Sequence, residues 1–72
     1  MDPDTSSGST LTSYPPSSRS SCPSNAPIKG NRGDTEWIYH QPGQQYYDVT
    51  NPEECFASDA AAVAAGYRAA KI

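Results

Sequence analysis

Large apolar side chains are sparse in the first third of the chain and clustered in the rest. Between Met1 and Ala26 only Met1, Leu11 and Tyr14 are sizeable and apolar. From Pro27 onward the chain carries Trp37, Tyr39, Tyr46, Tyr47, Phe56 and Tyr67, six of its seven aromatics. Trp37-Ile38-Tyr39-His40 is β-prone and unbroken, which predicts the strongest strand. Ile28-Lys29-Gly30-Asn31 predicts a short strand ahead of it. The turn-forming Asn31-Arg32-Gly33-Asp34 between them predicts a hairpin. Pro42-Gly43 ends the strong strand, and Gln45–Val49 reads as a further short extended piece. Asn51-Pro52-Glu53-Glu54 has the form of a helix start, with Asn as cap, Pro at the first position and acids in the first turn.

The C-terminal helix has the clearest punctuation. Ser58 and Asp59 suit its N-terminus, Ala60–Ala65 propagate it, and Gly66 stops it in a left-handed cap. Ala60, Val63, Ala64 and Tyr67 follow the i, i+3, i+4, i+7 spacing and are the expected buried face. Two turns are not stable alone, so the helix must dock on the aromatic strands. The expected fold is therefore α+β: a small antiparallel sheet of two to three short strands with one C-terminal helix, preceded by an extended Ser/Pro-rich arm.

Composition divides the chain at Pro27. Nine Ser, three Thr, four Pro and one Gly fill 17 of the first 26 positions. Such a segment buries too little apolar area to offset its ordering entropy alone. Residues 1–26 are expected to be a disordered or partner-ordered arm, and residues 27–72 the folded unit. That unit has 46 residues, a length at which burial and chain entropy nearly cancel. A staple or a partner is therefore expected. Cys22 and Cys55 can supply a single disulfide, with 32 residues between them, worth roughly 3 to 4 kcal/mol in loop entropy. Two free thiols in a reducing compartment are the alternative, and the sequence leaves both open.

The whole chain has 72 residues, a formal net charge of -3 and a mean hydropathy of -0.75. No stretch approaches the roughly 18 apolar residues of a membrane span, so no membrane insertion is expected. The start carries no basic and apolar signal segment, which fits a cytoplasmic or virion location. An acidic chain is a poor nucleic-acid binder. The domain's bases are Lys29, Arg32, Arg68 and Lys71, against six acids. If clustered near the aromatics, they would form a single-strand stacking surface, the alternative functional reading.

Catalytic and metal chemistry find little foothold. His40 is the only histidine, and nothing in the spacing of Asp48, Glu53 or Glu54 fixes an orienting carboxylate beside it. It reads as a structural histidine at a strand end, hydrogen-bonded to backbone. Cys22, Cys55 and His40 make three zinc ligands at best, with no C-x-x-C pairing. Arg32-Gly33-Asp34 spells an adhesion tripeptide but also reads as a charged hairpin turn. No catalytic residue, metal or other cofactor is expected.

Pro27-Ile28-Lys29-Gly30-Asn31, Ile38-Tyr39-His40-x-Pro42-Gly43-x-x-Tyr46-Tyr47, Pro52-Glu53-Glu54-Cys55-Phe56-Ala57 and Ala65-Gly66-Tyr67-Arg68 together resemble the bacterial sunset-type domain. That domain is similar to the C-terminal metal-binding appendage of micrococcal-type nucleases. The resemblance covers residues 27–71. It implies a compact α+β fold that acts as a non-catalytic appendage. Metal-binding relatives carry cysteines where this chain has Gln44 and Ala70, so zinc is not carried over. The expectation is a non-enzymatic accessory protein, docking on protein subunits of a larger assembly through the domain and the arm. Capsid decoration proteins and peripheral subunits of bacterial membrane complexes are examples. Leu11, Tyr14, Trp37, Tyr46 and Tyr47 are the candidate partner contacts.

Overall fold

The computed structural model describes residues 13–72. Four strands and one helix follow along the chain. They are β1 (Ile28–Arg32), β2 (Trp37–His40), β3 (Glu54–Phe56), α1 (Asp59–Ala64) and β4 (Arg68–Ala69). The sheet order is β3-β1-β2-β4. β1 is antiparallel to both β2 and β3, while β4 runs parallel to β2. The fold is α+β, and the sheet is mixed and four-stranded where an antiparallel one of two or three strands was expected.

The hairpin forms, but its turn spans residues 33–36, and Asn31 and Arg32, expected in the turn, pair within β1. Arg32 faces Trp37, and the amide of Gly33 closes the turn on the carbonyl of Glu36 at 3.0 Å. Alternation then sorts the side chains into two sheet faces. Ile28, Tyr39 and Phe56 join Ala62 and Tyr67 in the core beneath α1. The rings of Phe56 and Tyr67 meet edge-on, with centroids 5.2 Å apart. Gly30 sits between these rings. A Cβ there would lie 2.8 Å from Phe56 and 2.9 Å from Tyr67, so only glycine lets the strand and the rings approach this closely.

Helix α1 obeys its end signals. The Ser58 hydroxyl accepts from the Ala61 amide at 3.1 Å. At the other end Gly66 has φ +101°. The Tyr67 amide reaches back to the Ala62 carbonyl, and the Gly66 amide to that of Val63. This is a Schellman cap, and the contact of Ala62 with Tyr67 in the core is its usual apolar companion. The buried face differs from the expected one. Ala62 is fully buried and Ala61 and Ala65 pack on the core, whereas Ala60, Val63 and Ala64 are exposed. The aromatic rings stand close under the helix, so a methyl group faces them and the branched Val63 turns to solvent.

Two further segments depart from expectation. The helix-start pattern at Asn51–Glu54 gives no helix. The Glu53 amide donates to the Gly30 carbonyl at 2.9 Å, and the chain continues as β3 against β1. Pairing with a central strand outweighs a local capping preference. Gln45–Val49 is not extended. Successive bonds from Gln44 to Gln41, Tyr47 to Gln44 and Thr50 to Tyr47 wind it into turns, and the Thr50 hydroxyl donates to the Tyr46 carbonyl at 2.6 Å.

Within the described part of the arm, Tyr14 pairs with Cys55 on the outer edge of β3. Each backbone amide donates to the other's carbonyl at 2.9 Å. Cys22 and Cys55 are joined as a disulfide, with Cα atoms 5.8 Å apart. Of the two alternatives left open by the sequence, the structure has the bonded one. Among the described residues no helix is long and apolar enough to cross a membrane.

Candidate binding groove

The sheet face away from α1 carries the chemistry. Register sets Cys55, Lys29 and His40 in one row across β3, β1 and β2, with Ile38 and Arg68 in register on β2 and β4. The loop from Gln41 to Pro52 crosses this face. Tyr47 covers Lys29, with the Lys29 ammonium 4.3 Å from the ring centroid and donating to the Tyr47 carbonyl at 2.7 Å. The Tyr47 hydroxyl donates to the Pro27 carbonyl at 2.5 Å, which fixes the loop over β1. A cavity opens on either side of this crossing.

The first cavity, about 280 Å³, lies where the C-terminal segment meets β2. Its apolar lining is Ile38, Tyr46, Ala70 and Ile72, with His40 in the wall and Arg68 and Lys71 at the rim. Tyr46 and Ile72 are 46% and 54% exposed. Gln44 ties the loop to the C-terminal segment: its Oε1 accepts from the Gln41 amide at 2.7 Å and its Nε2 donates to the Ala70 carbonyl at 3.2 Å. Positions 44 and 70 are thus in direct contact through an amide side chain.

His40 stands at the end of β2. Its Nδ1 is buried with no hydrogen-bond partner, where a backbone bond was expected. Burial first, and the nearby Lys29 charge second, push its pKa below the ordinary 6.5, so the imidazole is neutral. Among the described residues no carboxylate bonds its Nδ1.

The second cavity, also about 280 Å³, is polar and lined by Ser20, Ser21, Cys22, Lys29, Tyr47 and Asp48. Lys29 is only 3% exposed. Desolvation lowers its pKa, with the charge of Asp48 pulling the other way.

The remaining sequence candidates fall into place around these cavities. Leu11 lies outside the described residues. Tyr14 is engaged on β3. Trp37 is 42% exposed but stacks on Tyr67 at 5.2 Å, beneath the Arg32 guanidinium at 4.8 Å. Arg32 also accompanies Glu54 at 2.9 Å and donates through Nε to the Tyr67 hydroxyl at 3.0 Å. That hydroxyl in turn donates to Glu54 at 2.6 Å. Burial, reinforced by this bond, pushes the Tyr67 hydroxyl up to about 12. Arg68 holds Glu36 in a two-point ion pair, with Nε to Oε1 at 2.8 Å. The four basic residues are therefore not gathered on one face: Lys29 is buried, and Arg32 and Arg68 are each committed to a carboxylate. The Arg32-Gly33-Asp34 tripeptide begins inside β1 with its arginine engaged, rather than on a free loop.

Sequence reasoning missed Ile38, Ala70 and Ile72 as lining residues. The alternation of Ile38 and His40 opposite Trp37 and Tyr39 was the available signal for two of the wall positions. The C-terminal contribution had none, because it depends on β4 turning back beside β2.

The model of the ArfC family matches residues 6–69, running across Pro27 without a break. Neither the curated proteins nor the solved structures contain a match to the chain.

Proposed function

The chain belongs to the ArfC family, and we propose that it is a non-enzymatic accessory module that docks on a protein partner within a larger assembly. The observation that carries the reading is the apolar groove formed by Ile38, Tyr46, Ala70 and Ile72 beside β4. The groove accepts an apolar side chain of a partner segment, and the charge of Lys71 beside it favours a segment with an acidic neighbour. Docking of this kind suits a capsid decoration protein or a peripheral subunit of a bacterial membrane complex. The sunset-type resemblance of residues 27–71 supports an appendage role. The acidic chain and the commitment of Arg32 and Arg68 to carboxylates weigh against the nucleic-acid alternative.

The test is the size of the native complex in extracts of the source cell. The wild-type chain is expected to sediment well above 7.7 kDa. Tyr46→Ala combined with Ile72→Asp should return it to the monomer fraction with its melting temperature unchanged. A double variant that stays in the complex would refute docking through the groove.

A further inference from the structure

The second cavity brings together features that docking does not use. It is walled by Cys22, one half of the disulfide, and by the buried ammonium of Lys29. The other half, Cys55, is fully buried and lies directly opposite Lys29 in the β1–β3 register, on the same sheet face. The two sulfurs therefore differ in access: a reagent entering the cavity meets Cys22, not Cys55. They also differ in what stabilises them, since the strand partner of Cys55 is a cation. Asp48, the acid lining the cavity, is exposed, and His40 lies on the far side of Lys29 with its pKa lowered by burial and by the Lys29 charge.

We infer that Cys22–Cys55 is a thiol-addressable disulfide, opened from the polar cavity at Cys22, whose reduction releases the segment from Ser13 to Cys22 from the edge of β3. The co-reactant is a dithiol. Its thiolate forms a bond to Cys22 Sγ while the Sγ–Sγ bond breaks, and Cys55 leaves as a thiolate with the electron pair. The second thiol of the reagent, deprotonated, then displaces Cys22. The reagent ends as a disulfide, oxidised by two electrons. The protein ends with two reduced cysteines, one carrying the proton given up by the reagent. The Lys29 ammonium stabilises the leaving thiolate, and a better leaving group departs faster.

The structural consequence follows from how lightly the arm is otherwise held. Tyr14 makes one two-bond bridge, and both bonds end on Cys55 itself. The Ser13 side chain adds a bond to Glu54. Among the described residues, the backbones of Ser17, Ser18 and Ser21 bond only to one another, and residues 17–21 are exposed. Once the disulfide opens, these contacts alone do not offset the entropy of ordering about ten residues. The Cys55 amide and carbonyl then become an open strand edge.

The experiment follows reduction of the full oxidised chain by dithiothreitol, with amide exchange read residue by residue. In the wild type the Cys55 and Tyr14 amides should lose at least about tenfold in protection on reduction, while those of Gly30 and Tyr39 stay protected. Lys29→Met should be reduced roughly three- to tenfold more slowly. Loss of Gly30 and Tyr39 protection together with that of Cys55 would overturn the inference, as would Lys29→Met reducing as fast as wild type. Should that variant fail to fold, the wild type decides alone. The pH profile of Cys55 alkylation in the reduced chain should have its midpoint below the ordinary thiol value of about 8.5, and a midpoint at or above it refutes the role of Lys29.

Discussion

Replacing Gly30 by alanine perturbs the core at its tightest point. The added methyl would sit 2.8 Å from Phe56 and 2.9 Å from Tyr67, with the Tyr67 ring also at 3.1 Å further along. Neither ring has room to retreat. Phe56 is fully buried and Tyr67 is 3% exposed, and Tyr67 is pinned at its hydroxyl by Arg32 and Glu54. Relief therefore requires β1 to move away from the rings, straining its pairing with β2 and β3, or the helix to lift. Overpacking of this kind costs about 1 to 3 kcal/mol, and contact with two fixed rings at once places Gly30→Ala near the upper end. For a domain of this size each kcal/mol lowers the melting temperature by about 4 to 8 °C, so a fall of roughly 10 to 20 °C is expected. Thermal unfolding followed by near-ultraviolet circular dichroism reads both the midpoint and the aromatic packing. Gly43→Ala is the control: a Cβ there meets nothing, and the cost is the φ of +93° alone, about 1 to 2 kcal/mol. A Gly30→Ala variant that melts within about 3 °C of wild type would refute the account of the core.

Other outcomes follow from the caps and the titrating groups. Ser58→Ala removes the acceptor for the Ala61 amide and should cost about 1 kcal/mol, measured by urea unfolding. Glu54 feels burial pushing its pKa up, but the bonds from Tyr67, Arg32 and Ser13 together hold it below the ordinary 4.5. Its contribution is thus present above the unfolded value and lost as pH falls through the folded one. The wild-type melting temperature should drop more steeply between about pH 5 and 3 than that of Glu54→Gln. His40 should titrate by NMR with a midpoint below 6.5. The folded state then binds fewer protons than the unfolded chain between those two values, so stability declines as pH falls below about 6.5, and a midpoint at or above 6.5 would contradict the burial of its Nδ1.

What the sequence revealed and what it hid divide along the range of the interactions. The β1–β2 hairpin was legible because β-prone runs flank turn residues. The ends of α1 were legible because Ser58 and Gly66 act on amides and carbonyls a few residues away. β3 was hidden, since Asn51-Pro52 carries a local helix signal that the distant Gly30 carbonyl overrides. The buried face of α1 was hidden because a run of alanines marks no side as core. In the arm, Ser and Pro set the composition, while Tyr14 and Cys22 are tied to Cys55 across the chain, the disulfide alone spanning 33 residues. The groove has the same origin: Tyr46 was singled out, but Ile38 and Ile72 become its neighbours only once β4 lies parallel to β2.

Site-specific photo-crosslinking in the source cell tests the docking claim most directly. A photoreactive phenylalanine analogue at Tyr46 reports on the groove, and the same group at the exposed Thr35 on the opposite end of the hairpin reports on background. The account predicts one dominant protein adduct at position 46, absent from position 35 and lost when Ile72→Asp is added. Equal labelling at the two positions, or an adduct at 46 that survives Ile72→Asp, would contradict it.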